Sequence, residues 1–131
     1  MDISVRSKTL LPEDRSWLGS AHGTDATETV TLDVSTFTAG THYPNGFIPS
    51  GIALGKITAS GKYGPYSDAA GDGRTTLVGH LFNSTEVGSA TSVPVAAPML
   101  VHGVIVEAKL PANHGVDANG KTDVAGRIRY R

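Results

Sequence analysis

Cysteine is absent from the 131 residues of this chain. Its absence excludes disulfide bonds, thiolate nucleophiles and cysteine-ligated zinc, so the fold must be held by packing or by self-association. An excess of charge of one sign is also lacking, because 11 basic and 12 acidic side chains give a formal net charge of -1 without any run of like charges. Without a concentrated basic face, we do not expect the chain to bind nucleic acid.

Long hydrophobic runs are missing as well. The most apolar stretch, residues 93–106, is interrupted by two prolines, a histidine and a glycine. It falls short of the roughly 20 apolar residues that a transmembrane helix needs. The N-terminal sequence MDISVRSKTLLPEDRSW has no apolar core of the signal-peptide type. We therefore expect a chain that is made in the cytoplasm and has no membrane partner.

The residues that are present favour β-structure. Sixteen glycines and seven prolines, with many threonines and valines, are typical of turns and strands. Val30, Leu32 and Val34 alternate with polar residues and predict a half-buried strand. Gly55 falls where the next alternation slips by one residue, which predicts a β-bulge.

Further strands are predicted along the rest of the chain. Residues 75–83 form one candidate, residues 91–111 form two with a break near Pro98, and the C-terminal residues form the last, whereas residues 112–122 are predicted to be a loop. The fold predicted for residues 29–131 is a mainly β, small single domain of sandwich-like or barrel-like architecture.

Residues 1–28 have a different character. They are polar and show neither the apolar period of a helix nor that of a strand. Their isolated apolar anchors are Leu10, Leu11, Trp17 and Leu18. This pattern predicts a flexible or extended N-terminal arm. A tryptophan in such a segment is expected to be buried, either in its own domain or in a partner.

The motifs that carry chemistry in other proteins are incomplete. Residues 51–56 place three rather than four residues between their glycines, and Ile57 stands where a nucleotide-binding loop needs a hydroxyl. Residues 68–74 and 117–123 lack the closing glutamate of a calcium loop, so their Asp and Asn side chains are interpreted as turn formers. His80 and His102 lie in apolar runs and are predicted to be hydrogen-bonded core residues. We therefore predict no catalytic residue, metal or cofactor, and a protein that is not an enzyme.

The order of the features resembles the bacteriophage head decoration protein family, the lambda-type capsid stabilisers. The resemblance rests on the patterns G-x-x-L-G-K, G-K-Y-x-P-Y, A-x-D-G-R and V-G-x-L, and on the segment DRSWLGSAHG; it covers residues 8–85. The motif residues are Gly51, Leu54, Gly55, Lys56, Gly61, Tyr63, Pro65, Tyr66, Asp72, Gly73 and Gly79.

The resemblance implies a structural virion protein. Homotrimers would bind the outer surface of an expanded capsid at local three-fold positions and stabilise the shell. The N-terminal arm would become ordered by adding to the major capsid protein of a tailed phage, as an extended segment adds to an exposed sheet edge. The implied capsid-binding residues are Thr9, Leu10, Leu11, Trp17 and Leu18.

A second function remains open from the sequence. A β-rich phage surface module could recognise host glycans through an aromatic platform, for which Tyr43, Tyr63 and Tyr66 are the candidates.

Overall fold

A computed structural model describes residues 13–87 and 92–131 of the chain. Within these ranges the strands are β1 Glu28–Leu32, β2 Phe47–Ile48, β3 Ala53–Lys56, β4 Tyr63–Pro65, β5 Leu77–Leu81, β6 Thr85–Glu86, β7 Val95–Leu100, β8 Gly103–Ile105 and β9 Ile128–Tyr130. The short helices are α1 Ala39–His42 and α2 Ala118–Asp123, with 3-10 turns at Val34–Thr36 and Glu107–Lys109. The predicted mainly β, small single-domain fold is confirmed.

Five of the strands form a closed barrel in the order β1-β4-β3-β5-β7. Antiparallel pairing of β1 with β7, from Glu28 opposite Met99 to Leu32 opposite Val95, closes it. The pairing of β1 with β4 is parallel and joins Leu32 to Tyr63. Closure removes the free edges that an open sheet would present to other chains.

The predicted bulge at Gly55 is confirmed. The register between β3 and β5 shifts between Leu54 and Gly55. A Cβ atom at Gly55 would lie 2.8 Å from the Cα of Arg74, so another segment of backbone approaches the strand closely at the bulge.

Two apolar cores hold the domain together. The first fills the barrel and is formed by Val30, Leu32, Phe37, Ile48, Ile52, Leu54, Leu81, Ala97, Met99 and Val101. The second lies outside the barrel and is formed by Trp17, Ala53, Tyr66, Leu77, Leu100, Ile105, Leu110, Val124 and Ile128. The second core therefore joins the barrel to the small parallel sheet of β8 and β9.

The N-terminal segment takes part in this second core. Trp17 is completely buried, and Leu18 forms an antiparallel bridge with Ile105. The Val106 N–H donates to the Trp17 carbonyl at 2.7 Å, and the Gly19 N–H donates to the Val104 carbonyl at 2.7 Å. The predicted arm boundary at residue 28 is therefore wrong: Trp17 and Leu18 belong to the folded domain. Thr9, Leu10 and Leu11 lie outside the described residues.

Three local predictions are corrected. Val34 begins a 3-10 turn, because the Asp33 carboxylate accepts from the Ser35 N–H and ends the strand at Leu32. Pro98 lies within β7, and the break before β8 comes three residues later. The loop predicted for residues 112–122 contains the start of α2, which Asp117 caps by accepting from the Gly120 N–H at 2.8 Å.

Candidate functional site

The motif glycines occupy positions that only glycine fills without strain. Gly51 has φ +103, and its added Cβ would lie 2.8 Å from Pro111 and 3.0 Å from the Trp17 indole nitrogen. Gly73 has φ +112, and its Cβ would meet the Thr58 hydroxyl at 2.3 Å. These residues let loops and side chains approach the backbone, as glycine commonly does in tight turns.

Arg74 links the remaining loop motifs. Its guanidinium forms an ion pair with Asp72 at 3.0 Å and donates to the Pro65 carbonyl at 3.2 Å. The Asp72 carbonyl accepts from the Thr58 N–H at 2.9 Å. The A-x-D-G-R motif is therefore a clamp that fixes the loop between β4 and β5 against β3 and β4.

The other motif positions are also structural or exposed. Leu54 is fully buried and Tyr63 packs against the barrel core. Gly61 has φ +73 in the turn before β4. Lys56 is exposed at the end of β3.

Tyr66 anchors α2 to the barrel. Its hydroxyl lies 2.7 Å from Asp117 Oδ1 and 3.0 Å from Asp68 Oδ1. Burial first, and then these carboxylates, raise the pKa of Tyr66, so the phenol stays protonated. The hydrogen bond from the Gly120 N–H is the main cause that lowers the pKa of Asp117. Within residues 13–87 and 92–131, no three His, Asp or Glu side chains are placed to hold a metal ion.

The tyrosines do not form an open aromatic surface. Tyr66 is 4% exposed, and Tyr43 and Tyr63 are half-buried against the barrel core. The platform suggested for glycan recognition therefore lacks Tyr66.

His80 is a hydrogen-bonded core histidine, as predicted. Its Nδ1 lies 2.8 Å from the Gly51 carbonyl, which can only accept, so Nδ1 carries the proton. Its Nε2 accepts from the Tyr130 hydroxyl at 2.6 Å. Complete burial lowers the pKa of His80 to about 4. The prediction for His102 is wrong, because its side chain is exposed beside His22, with ring centroids 6.3 Å apart.

We expect His80 to make stability depend on pH. In the unfolded chain His80 binds a proton below its ordinary pKa of 6.5, whereas in the folded chain it stays neutral down to about pH 4. As the pH is lowered from 6.5 to about 4, the free energy of unfolding should therefore decrease, by up to about 3 kcal/mol from this group. Urea titrations at a series of pH values measure how the free energy of unfolding changes with pH.

The matched variant is His80→Gln, which cannot titrate. Its unfolding free energy should depend less steeply on pH than that of the wild type. Burial also lowers the pKa of His42 and His114, so some slope remains in both proteins. Identical slopes would contradict the assignment to His80.

Polar contacts fix the described start of the chain, residues 13–17, which we call the N-terminal junction. Both carboxylate oxygens of Glu13 accept from the Ser84 N–H, at 3.0 and 3.2 Å. Arg15 donates to the Phe82 carbonyl at 3.0 Å, and its guanidinium carbon lies 4.4 Å from the Phe82 ring centroid. The junction is therefore bound to the turn after β5.

Trp17 completes the junction. Its indole nitrogen donates to the Ser50 hydroxyl at 3.2 Å, and this hydroxyl donates to the Phe82 carbonyl at 2.7 Å. The first described residues of the chain are thus held by a buried anchor.

A groove with two depressions begins at this junction; we call it the junction groove. The first depression has a volume of about 190 Å³ and the second about 210 Å³. Phe47 and Pro49 line both. Asp14, Lys109 and Pro111 line the first, and Pro44 and Ala112 are among the residues that line the second.

Sequence reasoning did not find this groove. Its walls come from residues that read individually as turn formers, such as Pro44, Pro49 and Pro111. The available signal was the clustering of prolines around the Asn45-Gly46 turn and before the 112–122 loop, but their proximity depends on the tertiary fold.

None of the helices in residues 13–87 and 92–131 is long and apolar enough to cross a membrane. No protein-family model matches the chain, and no curated protein is significantly similar to it.

Proposed function

We propose that the protein is a phage head decoration protein that binds the outer surface of an expanded capsid as trimers and stabilises the shell. The observation that carries the proposal is the N-terminal junction: a buried tryptophan and two hydrogen-bonded charged residues hold residues 13–17 against the domain, so residues 1–12 are joined to the domain at a fixed point. The order of motifs that resembles the lambda-type family supports the same function.

The closed barrel favours capsid binding through the segment that precedes it rather than through the edges of its own sheet. Because β1, β4, β3, β5 and β7 pair in a closed ring, the barrel offers no free edge to a capsid subunit. A segment that precedes it can instead add to a sheet edge of the capsid protein through backbone hydrogen bonds. Residues 1–12 contain the apolar pair Leu10-Leu11 that such binding uses as an anchor.

Multivalency supports the trimer. A short segment that becomes ordered on binding retains only part of its interaction energy. Three segments on one trimer act together, and avidity can then exceed the affinity of one segment by about 10²–10⁴. No cofactor is needed for this role, and the protein acts in the virion.

Co-sedimentation with expanded, undecorated shells of the cognate phage tests the proposal. The wild-type protein should pellet with the shells, and Leu10→Asp/Leu11→Asp should lose attachment because its apolar anchors are gone. Val93→Asp is the control, since Val93 is an apolar side chain that is 56% exposed in the domain. Failure of the wild-type protein to bind would contradict the proposed function, and full binding by the leucine variant would contradict the role of the segment.

A further inference from the structure

The chain contains two Asn-Gly dipeptides, Asn45-Gly46 and Asn119-Gly120. In such a pair the backbone nitrogen of the glycine can attack the side-chain carbonyl carbon of the asparagine, since glycine has no Cβ that would obstruct the approach. A C–N bond forms in a five-membered succinimide ring, and the side-chain nitrogen leaves as ammonia. Water then opens the ring to aspartate or isoaspartate. Both dipeptides have the same local chemistry, so their surroundings in the fold determine how readily each reacts.

Helix α2 restrains Asn119-Gly120, although the Asn119 side chain is exposed. The Asn119 side-chain nitrogen donates to Asp68 Oδ2 at 2.6 Å, and the Gly120 N–H donates to Asp117 Oδ1 at 2.8 Å. Gly120 is buried, and a Cβ there would lie 3.3 Å from the Tyr66 ring. Closure of the succinimide ring would require the leaving amide and the attacking nitrogen to give up these contacts and α2 to open.

The turn between α1 and β2 places few restraints on Asn45-Gly46. Both residues are exposed, and a Cβ at Gly46 would meet nothing within 4 Å. The Gly46 N–H donates to the Tyr43 carbonyl at 3.1 Å, whereas the Asn45 side chain has no hydrogen-bond partner among residues 13–87 and 92–131. Exposed turns open at a much lower free energy than packed elements do. The attacking nitrogen is therefore released when one turn hydrogen bond breaks.

We propose that Asn45 is a site of spontaneous deamidation in the folded protein and that Asn119 is protected from it. Either product replaces a neutral amide by a carboxylate. Isoaspartate also lengthens the backbone between residues 45 and 46 by one carbon, because the chain then runs through the side chain. The Gly46 carbonyl, which accepts from the Val87 N–H at 2.9 Å, would be displaced, and the pairing of β2 with β6 would weaken. The inference does not depend on the proposed function.

Peptide mapping by mass spectrometry tests the proposal on the full chain. The purified protein is incubated in native buffer at mildly alkaline pH, which promotes loss of the proton from the attacking nitrogen. Deamidation at Asn45 should be faster than at Asn119 by about tenfold or more. In guanidinium chloride the two dipeptides should react at similar rates, because the fold no longer restrains either one. Asp117→Ala, which removes the acceptor of the Gly120 N–H, should raise the native rate at Asn119 and leave that at Asn45 unchanged.

Two results would overturn the inference. Equal native rates at the two dipeptides would mean that the contacts of α2 do not protect Asn119. A native protein in which Asn45 stays intact, while both dipeptides react in guanidinium chloride, would mean that the hydrogen bond to Tyr43 is enough to protect the turn. Hydrogen exchange of the aged protein tests the structural consequence: faster exchange at the Val87 amide in the isoaspartate form supports the weakened pairing of β2 with β6, and unchanged exchange contradicts it.

Discussion

Trp17→Ala should lower the free energy of unfolding of the free protein by about 3–5 kcal/mol, the usual range for truncating a buried aromatic side chain. The indole is completely buried and packs in the core that joins the barrel to β8 and β9. Its loss would also leave the Ser50 hydroxyl without the indole donor. Urea unfolding followed by far-ultraviolet circular dichroism measures the change.

Trp17→Phe is the control, because it keeps an aromatic ring in the core and removes the hydrogen bond to Ser50. It should be less destabilising than Trp17→Ala. A Trp17→Ala protein as stable as the wild type that nevertheless fails to attach to shells would show that the tryptophan contacts the capsid and would contradict its assignment to the core.

Gly79→Ala should destabilise the barrel by about 2–3 kcal/mol, as overpacking of a tight site does. A Cβ at this position would lie 2.4 Å from the Leu100 carbonyl oxygen and 2.9 Å from the Met99 side chain. Because Leu54 lies opposite Gly79 in the register of β3 and β5, the strand cannot move away without disturbing its other neighbour. Thermal and urea unfolding both measure the loss.

Gly40→Ala is the matched control. Gly40 lies in α1, and a Cβ there meets nothing within 4 Å. Alanine in a helix is favoured over glycine by about 0.5–1 kcal/mol, so this variant should be at least as stable as the wild type. Equal effects at the two positions would contradict the account of Gly79.

Local patterns predicted much of the barrel. The alternation of Val30 and Leu32 identified β1, and the slipped alternation at Gly55 identified the bulge. Both could be predicted because a strand with one buried face has apolar residues at every second position. The failed calcium spacings of residues 68–74 and 117–123 were interpreted as turns. The loop clamped by Arg74 is such a structure, whereas residues 118–123 form α2.

The N-terminal part could not be assigned in the same way. Residues 17–19 add to β8 over a separation of more than eighty residues, and a single short bridge has no period to recognise. Helix α2 contains Gly120, a poor helix former. Its stability comes from the Asp117 cap and from packing of Gly120 against Tyr66 and Leu77, contacts that local propensity does not contain.

The junction groove depends on the same distant contacts. Asp14, Pro49 and Pro111 lie far apart in sequence but line the same depression, and a Cβ at Gly51 would meet both Pro111 and the Trp17 indole. Leu10 and Leu11 were recognised as anchors from their isolation in a polar segment. Both leucines lie outside the described residues, so their role as anchors stays a prediction.

Imaging of expanded shells mixed with the protein tests the central claim most directly. Cryo-electron microscopy of expanded shells incubated with the purified protein should show added density at the local three-fold positions, with three copies of the domain at each. Shells without added density, or density at other positions, would contradict the proposed decoration function.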